Sequence, residues 1–348
     1  MINIQSLKPI KYLNVLLLAT MVLTTLIIPS SKADAKSAAT IIMYHRFGET
    51  NYPSTNITLK QLDKHILELS KKNYTVLPVK NIITAIQRNE DLPDRTIGIT
   101  IDDGYLSVYS QAWPRFKKAN LPFTVFIATD PIDHGSSKYM SWDQIRTLER
   151  DGVEIGAHTS SHNHMPMSKS THNKSELINS NSRMLKEIGH IPILFAYPFG
   201  EASTAVQKQV IEAGYKMAFG QHSGVVNSLT DFNYIPRFSL NENYGNIKRL
   251  KLILNALPLP IKDITPADPM IKTPNPPDFG FTVSSSIKSL KKLSCFSSNQ
   301  GRLYAEKIGP RVELRMIKPF PKGRTRINCT LPGPQNRWRW HGHLFVVP

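Results

Sequence analysis

Residues 96–105 read Thr-Ile-Gly-Ile-Thr-Ile-Asp-Asp-Gly-Tyr: a short apolar run closed by two adjacent carboxylates and a glycine. Adjacent carboxylates at a strand end repel each other, so stability alone seldom places them there. A bound cation would relieve the repulsion. Successive residues point in different directions, so one carboxylate can ligate while the other faces a substrate. The chain repeats the device elsewhere. Residues 40–44 run into His45, 153–157 into His158 and 193–197 into Pro198, and residues 217–219 are followed by Gln221 and His222.

Helical patterns separate these runs. Thr58 can cap a helix with Leu59, Leu62, Ile66 and Leu69 on one face. Further helices are expected over 79–87, 112–119, 142–151, 175–188 (Ile178, Leu185 and Ile188 inward) and 205–214, with a last strand at 234–238. Strands alternating with helices imply parallel βα units. Seven or so units with His, Asp or Pro at the strand ends favour a barrel, whose C-terminal face carries the chemistry. Residues 246–257 form a basic amphipathic helix, with Ile247, Leu250, Ile253 and Leu254 on one side, which packs on the barrel or touches a membrane. The resulting division is a barrel domain at 36–257, a Pro-rich linker at 258–277 and a basic β-rich domain at 278–348. Strands in the last are expected at 279–283, 302–308, 311–317 and 337–347.

The net charge is +17, and from Lys272 onward fourteen Lys/Arg face three acids, leaving +11 there. Such a surplus suggests an anionic partner, such as a cell-envelope polymer. Residues 1–35 read as an export signal: Lys8 and Lys11, an apolar stretch at 12–28, then Ala33-Asp-Ala35 as a cleavage site. The chain is therefore expected in the periplasm or cell envelope, which argues against nucleic acid. Membrane attachment follows only if the signal stays uncleaved, since the stretch is close to spanning length. Cys295 and Cys329 form one disulfide in an exported chain, or are two buried thiols. The Arg337-Trp-Arg-Trp340 run is either a glycan-binding patch or a strand with Trp on its buried side. Trp142 lines a sugar groove or simply packs in the core.

His158-Thr-Ser-Ser-His162 places two imidazoles four residues apart, which on a helical turn points both the same way. Two His and one carboxylate leave positions open on zinc. The metal would lower the pKa of water, and the second Asp could act as general base.

Thr-Ile-Asp-Asp-Gly at 100–104, His-Thr-x-x-His at 158–162 and Phe-Ala-Tyr-Pro-Phe-Gly at 195–200, in this order over roughly residues 40–238, resemble the polysaccharide deacetylase family (NodB homology domain, carbohydrate esterase family 4). The resemblance implies a distorted (β/α)7 barrel that hydrolyses N-acetyl groups from sugars with a divalent metal, often Zn2+. It casts Asp102 as general base and Asp103, His158 and His162 as metal ligands. Tyr197, Pro198, Phe199 and Gly200 become the groove-lining turn, with the Phe199 N–H as oxyanion donor. The late Leu-His motif of many members is absent. Tyr44-His45 instead resembles the exopolysaccharide poly-N-acetylglucosamine deacetylase branch, which makes His45 the general acid and leaves His222 as its competitor. The family's third-motif Arg is absent too; Arg237 either replaces it by pairing with Asp102 or is a surface residue. The function expected is metal-dependent removal of N-acetyl groups from an extracytoplasmic polysaccharide. Hydrolysis of another C–N bond, an acetyl-xylan ester substrate and non-catalytic glycan binding are its rivals.

Overall fold

The computed structural model describes residues 37–348; the expected export signal lies outside them. Among the described residues no helix is long and apolar enough to cross a membrane.

Strands Ala39–Tyr44, Thr96–Ile101, Thr124–Ile127, Glu154–Ala157, Leu194–Ala196 and Met217–Phe219 lie side by side in this order, all parallel. Phe238–Ser239 pairs in parallel with the first strand at Ile42 and Met43, while Ile235 bridges Phe219 of the last. Residues 235–239 thus join both ends of the sheet and curl it into a distorted seven-membered barrel.

Alternation along the strands decides what faces where. Ile42, Tyr44, Ile99, Ile101, Val125, Ile127, Ile155, Ala157 and Phe195 pack outward against the surrounding helices. The opposite parity, with Ile41, Phe126, Leu194, Ala196 and Phe219, fills a smaller inner core together with Val79, Ile82, Ile83 and Ile86 of helix Val79–Gln87. Phe126 fits there only because a neighbour is glycine: a Cβ on Gly156 would lie 2.4 Å from its ring. Continuing the inward parity past the strand ends reaches His45, Asp102, His158 and Pro198, so the strand period itself gathers these residues at one mouth.

The helix expected at 175–188 runs from Ser170 to Ile188, and its inner face differs from expectation. Ile178 is 63% exposed and Leu185 52%, whereas Asn173, Glu176, Leu177, Ser180 and Met184 are buried. The inward stripe is half polar because Asn173 and Glu176 bind neighbouring loops, which apolar periodicity cannot reveal.

The strands from Leu257 onward build one eight-stranded sheet. The Pro-rich segment read as a linker is part of it. Leu257–Pro258 pairs with Trp338–Val347, Ile261–Thr265 pairs with Phe279–Val283, and Ile271 is buried in the core. Two strands beyond those expected, Ser294–Ser297 and Gly323–Pro332, are paired and joined by the Cys295–Cys329 disulfide. Helix Ile247–Leu254 buries Leu250, Ile253 and Leu254 in the barrel's outer core, so it packs on the barrel. Trp340 packs edge-on against Phe238 while Trp338 stays 41% exposed. Trp142 packs partly buried against the core and donates its indole N–H to Asp133.

Three buried histidines lie close to the seam between barrel and sheet. His341 and His343 share one face of the last strand, with their rings against Phe281, Phe279 and Phe345 of the sheet's own core, and His222 from the barrel packs on Tyr234 with ring centroids 4.4 Å apart. Burial depresses all three: His341 to about 4, His343 to about 3 with help from His341, and His222 well below its usual value. A depressed imidazole is neutral when folded, so unfolding takes up protons once pH falls below the unfolded value of about 6.5. Thermal melts should therefore lose stability as pH drops from about 6.5 toward 4, and His343→Phe should flatten that loss. A melting temperature independent of pH across this window would contradict the seam's role.

Candidate active site

Asp102 ends the Thr96–Ile101 strand and is fully buried. Its N–H donates to the Tyr44 carbonyl, continuing the ladder one residue past the strand. Arg237, also fully buried, meets its carboxylate with two hydrogen bonds, Nη1 to Oδ1 at 2.7 Å and Nη2 to Oδ2 at 2.8 Å. The guanidinium also donates to the Gly220 carbonyl and the Thr100 hydroxyl. Burial, the largest single influence, pushes the Asp102 carboxyl up; the Arg237 charge and hydrogen bonds together with His158 and His45 outweigh it and hold the group below its ordinary value. Asp102 is thus a buried but ionised carboxylate. Each oxygen keeps acceptor capacity after binding Arg237.

Asp103 follows with φ of 76° and Gly104 with 73°. This left-handed pair turns the chain, so the Asp103 side chain diverges from that of Asp102. Its Oδ1 lies 3.3 Å from His158 Nε2 and 3.2 Å from His162 Nε2. The two histidines are not on a helical turn. Thr159 and His162 have φ of 66° and 60°, and a left-handed loop brings the rings together, centroids 4.7 Å apart. Glu176 secures that loop, accepting from the backbone N–H groups of Ser160 and Ser161 and from the Ser161 hydroxyl. His158 Nδ1 donates to the Ala196 carbonyl at 2.6 Å, which fixes the tautomer and leaves the Nε2 lone pair aimed at Asp103.

The donor set fits a cation. Asp103, His158 and His162 offer ligand atoms all within 4.8 Å of one another. Asp103 Oδ1 and His158 Nε2 are buried without a hydrogen-bond partner even though they face each other. Buried polar atoms are rarely left so, and one carboxylate with two imidazoles is a zinc-type ligand set.

The half-buried His45 follows the first strand at the same mouth. Burial pushes its imidazole down, Asp103 and Asp102 pull it back up, and Arg237 and His158 push it down again. Those four neighbours locate it beside the carboxylate pair. His222 is placed differently. After burial, its electrostatic neighbours are His343, His341 and Arg237, and its Nδ1 is buried without a partner. It belongs to the seam with the C-terminal sheet.

The 197–200 turn forms the opposite wall. Phe199 has φ of 58° and Gly200 of 69°. A Cβ at Gly200 would sit 2.4 Å from that of Gln221, so only glycine fits. The Tyr197 hydroxyl donates to the Asn233 carbonyl and that of Tyr234 to the Gly200 carbonyl. The Phe199 ring packs edge-on against His162 and stacks on His164 at 3.8 Å. Three residues of this site were not singled out in the sequence: Glu176, Glu201 and Arg324. None lies in a motif, and only the last carries a hint, as one of the many cations of the tail.

Replacing Arg237 by Gln strands the Asp102 charge in the interior. Chemical denaturation should show a loss of about 3–5 kcal/mol, as for other buried pairs cut on one side. The Asp102→Asn/Arg237→Gln double variant should recover part of it, and an R237Q protein as stable as the parent would refute the pair's importance.

Residues 89–218 match the model of the polysaccharide deacetylase family. A poly-beta-1,6-N-acetyl-D-glucosamine N-deacetylase of Staphylococcus aureus is 22% identical over 243 residues, covering 62% of this chain and 83% of that protein. The Streptococcus pyogenes deacetylase PplD superposes with a TM-score of 0.58 at 19% identity, over 63% of this chain and 99% of that one. IcaB from Ammonifex degensii does so with 0.55 at 19%, over 63% and 97%. These structures share the fold, and more than a third of this chain lies beyond what they cover. The chain thus carries, at residues 89–218, a domain that matches the polysaccharide deacetylase family, a family of hydrolases, and its relatives include enzymes of the exopolysaccharide type.

Proposed function

We propose that this deacetylase removes N-acetyl groups from an N-acetylglucosamine exopolysaccharide outside the cytoplasm, using a divalent ion, Zn2+ first among candidates. The observation that most supports this reading is the convergence of three ligand atoms on one point beside an ionised, arginine-held carboxylate. Asp103, His158 and His162 would hold the ion. When bound, such an ion supplies Lewis acidity, making water more acidic and polarising a carbonyl.

The chain's own groups supply the remainder. Asp102 accepts the proton of the attacking water; the Arg237 pair keeps it ionised and ready to accept. His45, at the same mouth, would give a proton to the departing sugar nitrogen, its charged form favoured by Asp103 and Asp102 against the larger opposing effect of burial. The backbone N–H of Phe199 would stabilise the oxygen that gains charge as the acetamide carbon becomes tetrahedral. Products are acetate and a free glucosamine amine. The +11 tail would meet an anionic envelope polymer.

Acetate release from β-1,6-linked N-acetylglucosamine oligomers and from peptidoglycan, with and without chelator, tests this reading. Activity on the former, lost to chelator and restored by zinc, is expected. His45→Gln should lower kcat by about 10²–10⁴-fold, and His222→Gln should leave it much nearer the parent. The reverse order would transfer the acid role to His222. No acetate from either polymer would overturn the proposal.

A further inference from the structure

The Phe199 turn is held from outside the barrel. Consecutive left-handed residues at Phe199 and Gly200 are costly for a backbone carrying a large side chain, and they persist only where surroundings over-determine them. The barrel contributes one such constraint, the Tyr234 hydroxyl on the Gly200 carbonyl at 2.7 Å. Another comes from the C-terminal sheet. Arg324 Nη1 donates to the Phe199 carbonyl at 3.0 Å, and its Nε lies 3.6 Å from Glu201 Oε1.

Glu201 is buried, its side chain only 4% exposed, directly after the turn. Its other oxygen accepts from His164 Nδ1 at 2.7 Å, and the His164 ring lies flat on the Phe199 ring, 3° from parallel. Side chain, carbonyl and following residue of Phe199 are therefore fastened in one network. Its arginine comes from a strand more than a hundred residues away.

The sheet's alternation accounts for that reach. On Gly323–Pro332, Thr325, Ile327, Cys329 and Leu331 point into the sheet's own core. Arg324, Arg326 and Asn328 take the other face, where Asn328 accepts from the Trp340 indole beside the barrel. Arg326 is depressed by burial and by Arg324, and Glu201 and Tyr234 act on it from the barrel side. Arg324 thus reaches the back of the turn while its side chain stays 33% exposed, and Arg326 lies partly buried on the same face.

We infer that Arg324 is a positioning residue for catalysis: the C-terminal sheet completes the active site by fixing the turn that carries the Phe199 N–H. This rests on the deacetylase reading proposed above. The residue acts through the turn and touches no reacting atom.

The test uses the full chain with Arg324→Gln, Arg324→Lys and, as a control on the same sheet, the exposed Arg302→Gln. Steady-state acetate release and hydrogen exchange of the 199–201 amides are measured together, with zinc affinity by calorimetry. Arg324→Gln should lose about tenfold or more in kcat with KM changed less than about twofold. It should also speed exchange of the turn while leaving zinc affinity unchanged. Arg324→Lys, which keeps a single donor and the charge, should fall between, and Arg302→Gln should match the parent. Parental kcat and parental exchange in Arg324→Gln would overturn the inference. So would a loss shared equally by Arg302→Gln, which would indicate general destabilisation. If the parent itself releases no acetate, the deacetylase reading fails. Faster exchange confined to 199–201 in Arg324→Gln would still uphold the clamp on the turn.

Discussion

Asp102 and Arg237 form an ion pair with no access to solvent, and much else in the barrel follows from it. The two residues come from the end of the second parallel strand and from the segment that joins the last strand to the first. Taking both charges out of water costs several kcal/mol each, which only the bidentate geometry and the added bonds to Gly220 and Thr100 can offset. A pair of this kind tolerates little displacement. It therefore fixes where the sheet closes, and at the same point it delivers an ionised carboxylate to the mouth. Closure and chemistry share one contact.

Around this pair the site divides its work among side chains of different origin. The strand parity supplies His45, Asp102 and His158; loops with left-handed backbones supply Asp103, His162 and Phe199. Outer-shell groups then hold the loops: Glu176 under Ser160 and Ser161, the Ala196 carbonyl under His158, Tyr234 under Gly200. Side chains oriented this way would reorganise less on binding an ion. The C-terminal sheet enters as one more supporting element.

Much of this was legible in the sequence because the strand period is 2 and the motifs sit at strand ends. The parallel alternation, the Asp-Asp pair and the two histidines could be read from residue type and spacing. What could not be read depends on tertiary hydrogen bonds. Ile178 and Leu185 looked like the inner face of their helix, yet Glu176 and Asn173 face inward because loop amides await them. The histidine pair suggested a helical turn, but Thr159 and His162 are left-handed, which spacing does not disclose. His222 follows a strand as His45 does; only the packing of the last strand shows that it faces His341 and His343. The prolines at 258–277 suggested a tether, but strand pairing with distant segments absorbed them into the sheet.

The left-handed residues also bear on how this pocket tolerates substitution. At Asp103 and His162 the candidate ligand side chain and the unusual backbone occupy the same position, and at Phe199 the unusual backbone carries the ring that packs on His162 and His164. A β-branched replacement at any of the three would suffer twice, once in chemistry and once in conformation. Asn or Gly would relax the backbone while removing the carboxylate or imidazole at 103 and 162 and the packing ring at 199. Directed variation aimed at new substrates is better spent on the walls around these three residues than on the residues themselves.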